Sequence, residues 1–149
     1  MPAKRILFLC TGNYYRSRFA EVLFNHLAQK AGIPWHADSC GLRVQADGTV
    51  NIGPLSPFAE GGLELRGLSD KRPYRFPRQV SEADLTSADL IIAVKESEHR
   101  PLMDQLFPAH TPRVQFWNIH DLDAGHPIDA LNELEQRIAA LVESLKSRR

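Results

Sequence analysis

The stretch ILFLCTGNYYRSRFAE, residues 6–21, decides how the rest of the chain is read. Residues 6–9 form a short apolar run that stops at a Gly/Asn turn, the pattern of a buried strand. Residues 17–30 follow with Phe19, Val22, Leu23 and Leu27 at helical spacing, and Ala31-Gly32 supplies a stop. His26 shares the face of Phe19 and Val22 and reads as a core or boundary histidine rather than a ligand. The opening unit is therefore strand, tight turn, helix.

The turn carries the chemistry. Thr11, Gly12, Asn13, Tyr14 and Tyr15 lie between Cys10 and Arg16, and Ser17 follows. A turn of this length can curl so that successive backbone N–H groups face inward as an anion nest. The following helix start adds free N–H groups and partial positive charge. Arg16 can close the ring with a planar fork that matches phosphate oxygens in pairs. Gly12 tolerates positive φ, and Asn13 tolerates the left-handed region better than most residues. Cys10 then sits at the base of a positive cup, surroundings that favour the reactive thiolate, and Ser17 can donate a hydrogen bond to it. A thiolate beneath a bound phosphate is placed to attack phosphorus. A Cys six residues ahead of an Arg is weak evidence alone, since a buried strand-end Cys beside a surface Arg looks the same. The strand before, Gly-Asn within, Ser after and helix beyond make the pattern specific.

Working outward, residues 35–40, 89–94 and 114–117 read as further strands, and 41–53 as loop. Residues 54–65 look helical, weakened by Gly61-Gly62. Ser81 with Asp84 resembles a capping box opening a short helix, and 96–106 is a helix ended by Pro108. Ile128, Leu131, Leu134, Ile138, Leu141, Val142 and Leu145 mark one face of a final helix. Strands alternating with helices imply parallel pairing through right-handed crossovers, hence an open α/β sandwich. Ligands in such folds sit beyond the carboxyl ends of the strands, where the first strand aims Cys10.

With 149 residues and 16.8 kDa, the chain suits a single domain, residues 1–149. Hydrophobic residues at 43% and charged residues at 24% fit neither a disordered nor a membrane protein. Eighteen basic and eighteen acidic residues balance, which argues against a general nucleic-acid binder and leaves room for a local basic site. Two cysteines, Cys10 and Cys40, are too few for a disulfide scaffold or a Cys-rich zinc site. The N-terminal apolar run is too short for a signal segment, and no run is long enough to span a bilayer. The expectation is a reduced, cytoplasmic, soluble protein.

Residues 6–21 resemble the phosphate loop of the low-molecular-weight protein tyrosine phosphatases, whose usual form is strand, Cys, any residue, Gly, Asn, two residues, Arg, Ser, Pro. Asp38-Ser39-Cys40-Gly41 resembles the turn after that family's second strand, and Ala88-Asp89-Leu90-Ile91 its third-strand entry. The resemblance implies a three-layer sandwich: a four-stranded parallel sheet in order 2-1-3-4 with helices on both faces. It implies that Cys10 is the nucleophile, that Arg16 binds phosphate, that Asn13 holds the loop and contacts Ser39, and that Ser17 supports the thiolate. The remaining loop residues, Thr11, Gly12, Tyr14 and Tyr15, would line the substrate phosphate. No metal or organic cofactor is required.

Four departures from that family pattern stand out. Tyr15 occupies the position where members often carry a second Cys, so the usual in-loop disulfide is absent. Arg18 replaces the Pro after the loop Ser. The His that often joins the Asn–Ser network has no match near residues 64–68, which predicts a reduced network. The general acid, usually an Asp before Pro, has two candidates in residues 117–127: Asp121 and Asp123, neither preceding Pro. Distance from the last strand favours Asp121, while Asp123 suits a turn into the final helix. His120 and His126 rank below both. Arg66, Lys71, Arg72, Arg75 and Arg78, with Tyr74 and Phe76 interleaved, read either as a solvated loop or as a positive rim attracting an anionic substrate.

These readings converge on a cysteine-dependent phosphomonoesterase acting on a phosphotyrosine protein or a small aryl phosphate, a monomer with no membrane or general nucleic-acid partner. A thiol-dependent arsenate reductase is the alternative, but Cys40 is the only further thiol for its relay. A non-catalytic phospho-ligand binder is a third.

Overall fold

The computed structural model describes residues 3–44, 54–68, 74–119 and 127–147. Four strands, β1 (Lys4–Cys10), β2 (Trp35–Gly41), β3 (Leu90–Ala93) and β4 (Val114–Phe116), make one sheet in order β2-β1-β3-β4. Every pair is parallel, with Leu9 opposite Cys40 and Cys10 opposite Gly41. The helices are α1 (Arg16–Ala31), α2 (Pro57–Leu65), α3 (Glu82–Ser87), α4 (Glu96–Leu106) and α5 (Pro127–Lys146). This is the expected sheet order.

Alternation along β1 sorts two cores. Ile6, Phe8 and Cys10 face α1, α2 and α5, packing with Phe19, Phe24, Leu63, Leu134 and Ile138. Leu7 and Leu9 face the other side, with Cys40, Leu85 of α3 and Met103 of α4. Both faces are covered, which is why residues 6–9 are apolar without alternation. Side-chain period also puts Cys10 and Cys40 on opposite faces although their strands are neighbours.

Local signals explain the element ends. Ser81 and Asp84 form the reciprocal capping box at the start of α3. Gly32 ends α1 at φ 69°, where its N–H reaches back to the last turn. Gly62 sits inside α2 because a Cβ there would meet Leu131 Cδ1 at 2.6 Å, so the glycine lets α2 and α5 approach. The α5 stripe buries Leu131, Leu134, Ile138, Val142 and Leu145, but Ile128 is 59% exposed. The first turn of α5 overhangs the core, where periodicity alone counted Ile128 as packed. Among the described residues, no helix is long and apolar enough to cross a membrane.

Candidate active site

Cys10 ends β1, and residues 11–15 lead into α1, which begins at Arg16 with no side-chain cap. Such an uncapped start is what anion binding at a helix N-terminus requires. The loop is braced by neighbouring backbone. Leu42 and Arg43 donate to the carbonyls of Cys10 and Thr11 at 2.9 Å each, and Ser56 donates to that of Tyr14. Gly41 makes this approach possible: a Cβ there would lie 2.8 Å from the Thr11 carbonyl oxygen and 3.0 Å from the Asn13 nitrogen.

The left-handed residue of the loop is Asn13, at φ 50°, and not Gly12. Its buried side chain is fully used. Nδ2 donates to Ser17 Oγ (2.8 Å) and Ser39 Oγ (2.9 Å). Oδ1 accepts from Arg75 Nη1 (2.9 Å) and the Arg78 N–H (3.0 Å). Two donors on one side and two acceptors on the other leave a single orientation for the amide. Ser17 Oγ, 2.9 Å from Cys10 Sγ, therefore accepts from Asn13 and is free to donate its own proton to the sulfur.

The network around Asn13 is larger than the missing histidine predicts. Arg75 fills that role, donating also to Ser39 O (2.8 Å) and Ser39 Oγ (3.0 Å) and pairing with Glu21 (3.1 Å). Ser39 in turn donates to Glu21 at 2.6 Å. Arg18, where Pro was expected, is a buried tie that donates to the carbonyls of Asn13 (3.3 Å), Pro54 (2.9 Å) and Arg75 (2.6 Å). Burial, then the nearby Arg75 charge, pulls its pKa down to about 10.

The described part of the basic segment is a loop with Arg75, Phe76 and Arg78 exposed to solvent, but its arginines are tethered by ion pairs rather than free as a positive rim. Arg78 pairs with Asp84 (2.8 Å), and Arg66 pairs with Glu135 while lying over Phe19. Lys71 and Arg72 lie outside the described residues. So do Asp121, Asp123, His120 and His126; the last described residue before them is Ile119. Among the described residues, no group of three or more His, Cys, Asp or Glu could hold a metal ion.

On the other side of the loop, Arg16 is 2% exposed. Its Nη1 donates to Ile119 O (3.0 Å) and Glu98 Oε2 (3.2 Å), and its Nη2 to Glu98 Oε1 (3.4 Å). Glu98 and His99 were missed in the sequence, where the helix at 96–106 carried no motif. Its start at the carboxyl end of β3 was the available signal. Burial would raise the Glu98 carboxyl, but the Arg16 charge and its hydrogen bonds hold it below the usual range. Burial and then Arg16 push His99 down to about 4, so it is neutral at ordinary pH.

Cys40 is a free, buried thiol that donates to Asp84 (3.7 Å). Burial pushes its pKa up to about 12, leaving it the unreactive form. Lying across the sheet from Cys10, it is out of place as a relay or resolving thiol.

Residues 5–149 match the profile of the family described as "Low molecular weight phosphotyrosine protein phosphatase". The protein-arginine-phosphatase of Bacillus subtilis is 25% identical over 97% of this chain and 98% of its own. The low molecular weight protein-tyrosine-phosphatase YfkJ of the same organism is 41% identical across 60% of this chain and 54% of its own length. The crystal structure of YfkJ superposes with a TM-score of 0.83 at 26% identity, covering 100% of this chain and 98% of that one.

Proposed function

The chain belongs to the low molecular weight phosphotyrosine protein phosphatases, hydrolases that act on phosphorylated proteins through a cysteine, and from that premise we propose how its own residues do so. The residues of the loop act as the phosphate cup, and the substrate class is an aryl phosphate ester such as phosphotyrosine. Cys10 Sγ attacks phosphorus in line, forming an S–P bond as the bond from phosphorus to the aryl oxygen breaks. The loop N–H groups and Arg16 take up the charge on the equatorial oxygens. Asp121 protonates the leaving oxygen. Water then attacks phosphorus, Asp121 accepts its proton, and the S–P bond breaks to return the thiolate and release inorganic phosphate.

The observation that carries this reading is the Asn13–Ser17–Cys10 chain, in which Ser17 accepts from Asn13 and keeps its own proton to donate to a thiolate at Cys10. A hydroxyl proton aimed at sulfur stabilises that sulfur as a leaving group in the second step. Asp121 is supported by reach: the Ile119 carbonyl is bonded to Arg16, and two residues extend at most about 7 Å. Asp123, four residues on, is the second candidate. Two free cysteines suit a reducing, cytoplasmic setting.

The test is turnover of p-nitrophenyl phosphate in the presence of a chelator. Activity should persist with chelator and vanish in Cys10→Ser, with phosphate, vanadate and arsenate competing. Chelator-sensitive activity, or turnover by Cys10→Ser, contradicts the reading. Binding of phosphate without turnover would make the chain a phospho-ligand binder.

A further inference from the structure

We propose that Glu98 and His99, on the first turn of α4, are positioning residues that aim Arg16 and Thr11 into the phosphate cup; the proposal rests on the reading of that cup given above.

A hydrogen-bond chain, its direction fixed at its buried end, links these two residues to the cup. The Lys95 N–H donates to His99 Nδ1 at 3.0 Å. Nδ1 is therefore the acceptor, and the ring proton of the neutral imidazole must sit on Nε2. Nε2 lies 3.1 Å from Thr11 Oγ1, so it donates there. Thr11 Oγ1, having accepted, donates to Glu98 Oε1 at 3.2 Å. Glu98 spends its remaining capacity on both terminal nitrogens of Arg16, with Lys95 Nζ 3.9 Å from Oε2.

The chain joins one helix turn to the two ends of the cup: the residue after the nucleophile and the arginine that closes the ring. His99 is completely buried and Arg16 nearly so, whereas the Glu98 side chain keeps one third of its surface exposed. A carboxylate with two oxygens engaged fixes both the place and the plane of a guanidinium. Arg16 Nη1 has a second anchor on Ile119 O, so the fork is held at two points and little freedom is left to lose in the transition state. Positioning of this kind acts on kcat more than on ground-state binding.

The experiment separates the two ends of His99. Asn at this position can place its carbonyl near Nδ1 and keep the Lys95 contact, with nothing left to reach Thr11. Gln can place its amide nitrogen near Nε2 and keep the Thr11 contact, giving up the acceptor for Lys95. With p-nitrophenyl phosphate, His99→Asn should lower kcat by about 10–100-fold, the scale of an ångström-sized misplacement. His99→Gln should keep kcat within about threefold while melting lower. Glu98→Ala should lower kcat on the same roughly 10–100-fold scale, with Glu98→Gln between it and wild type. In both, inhibition by inorganic phosphate should change less than kcat does. Thr11→Val should match His99→Asn, and the double variant should be no worse than either single one, because both break one chain.

Equal kcat in the two His99 variants overturns the proposal. So does a loss of kcat that only tracks the melting midpoint, or additive losses in the double variant. Failure of the cup itself is distinguishable, because then wild type would not turn over the ester or Arg16→Ala would match it.

Discussion

On one flank of the loop, Ser17 meets the cysteine sulfur and is tied through Asn13 to Ser39 by neutral hydrogen bonds, backed from outside by Arg75 and Glu21. On the other flank, Arg16 and Thr11 are held by a carboxylate and a buried imidazole. In the proposed reaction the first flank handles a nucleophile and leaving group, where an oriented dipole beside the sulfur is what the chemistry needs. The second would handle a cation that must meet phosphate in one plane, and it uses ion pairing. A short loop motif can work as a phosphate cup only when both flanks are supplied. Here each flank draws on residues far from the loop in sequence, Ser39 and Arg75 on one side and Glu98 and His99 on the other.

The largest expected effect tests the charged flank. An arginine that takes up transition-state charge is worth about 10³–10⁵ in phosphoryl transfer, so Arg16→Ala should lower kcat/KM by that order. Retention within tenfold would break the distinction between the flanks. Next is the proton donor: Asp121→Asn should lower kcat by about 10²–10⁴ on an ester with a poor leaving group, and less on p-nitrophenyl phosphate. Asp123→Asn should cost far less, and the reverse order would move the acid to Asp123.

The neutral flank should answer differently. Asn13→Ala orphans partners on both sides and puts a Cβ residue without a side-chain tether at positive φ. Denaturant unfolding should report a loss of about 2–4 kcal/mol. Its kcat should fall by roughly tenfold, the worth of one hydrogen bond no longer aimed at sulfur. A loss of activity without loss of stability would make this flank resemble the other.

Acid titration of stability reads His99, which faces Arg16, Glu98 and Lys95. Its native pKa near 4 lies below the ordinary 6.5, so between those values the unfolded chain binds more protons than the folded one. Stability from this group is fully present above about pH 6.5 and is lost as pH falls through about 4. The full span is on the order of 3 kcal/mol. His99→Gln should flatten the slope of unfolding free energy between pH 4.5 and 6.5, a window above the carboxylate range. An unchanged slope would contradict the buried neutral ring. The smallest expected effect is none at all: Cys40→Ser should leave peroxide inactivation, and its poor recovery with dithiothreitol, as in wild type. A mapped Cys10–Cys40 disulfide would overturn the placement of the two thiols on opposite faces.

The architecture was legible where a signal is local. The apolar run at 6–9, the α5 stripe, the Ser81–Asp84 box and the Cys10-to-Arg16 spacing all depend on neighbours within a turn or two. Sheet order and the contact between Asn13 and Ser39 came from family resemblance, and the structure bears both out. What escaped depends on long-range approach. Arg75 meets Asn13 across 62 positions and His99 meets Thr11 across 88, so neither pairing leaves a trace in spacing. Arginines that looked like a rim turned out to be tethers because their partners, Glu21, Asp84 and Glu135, lie on other elements. Gly41 resembled a strand-end turn residue, while its actual constraint is the loop backbone against its Cα. Positive φ fell to Asn13 rather than Gly12 because four side-chain hydrogen bonds hold it there.

In the proposed mechanism Cys10 carries the phosphoryl group between the two steps. Mass spectrometry of protein quenched during turnover of p-nitrophenyl phosphate, followed by peptide mapping, tests it directly. One phosphoryl group is expected on the Cys10 sulfur, chased off as the ester is consumed and absent, along with turnover, from Cys10→Ala. Phosphate release with no adduct on Cys10, or an adduct on another residue while Cys10→Ala still turns over, would contradict it.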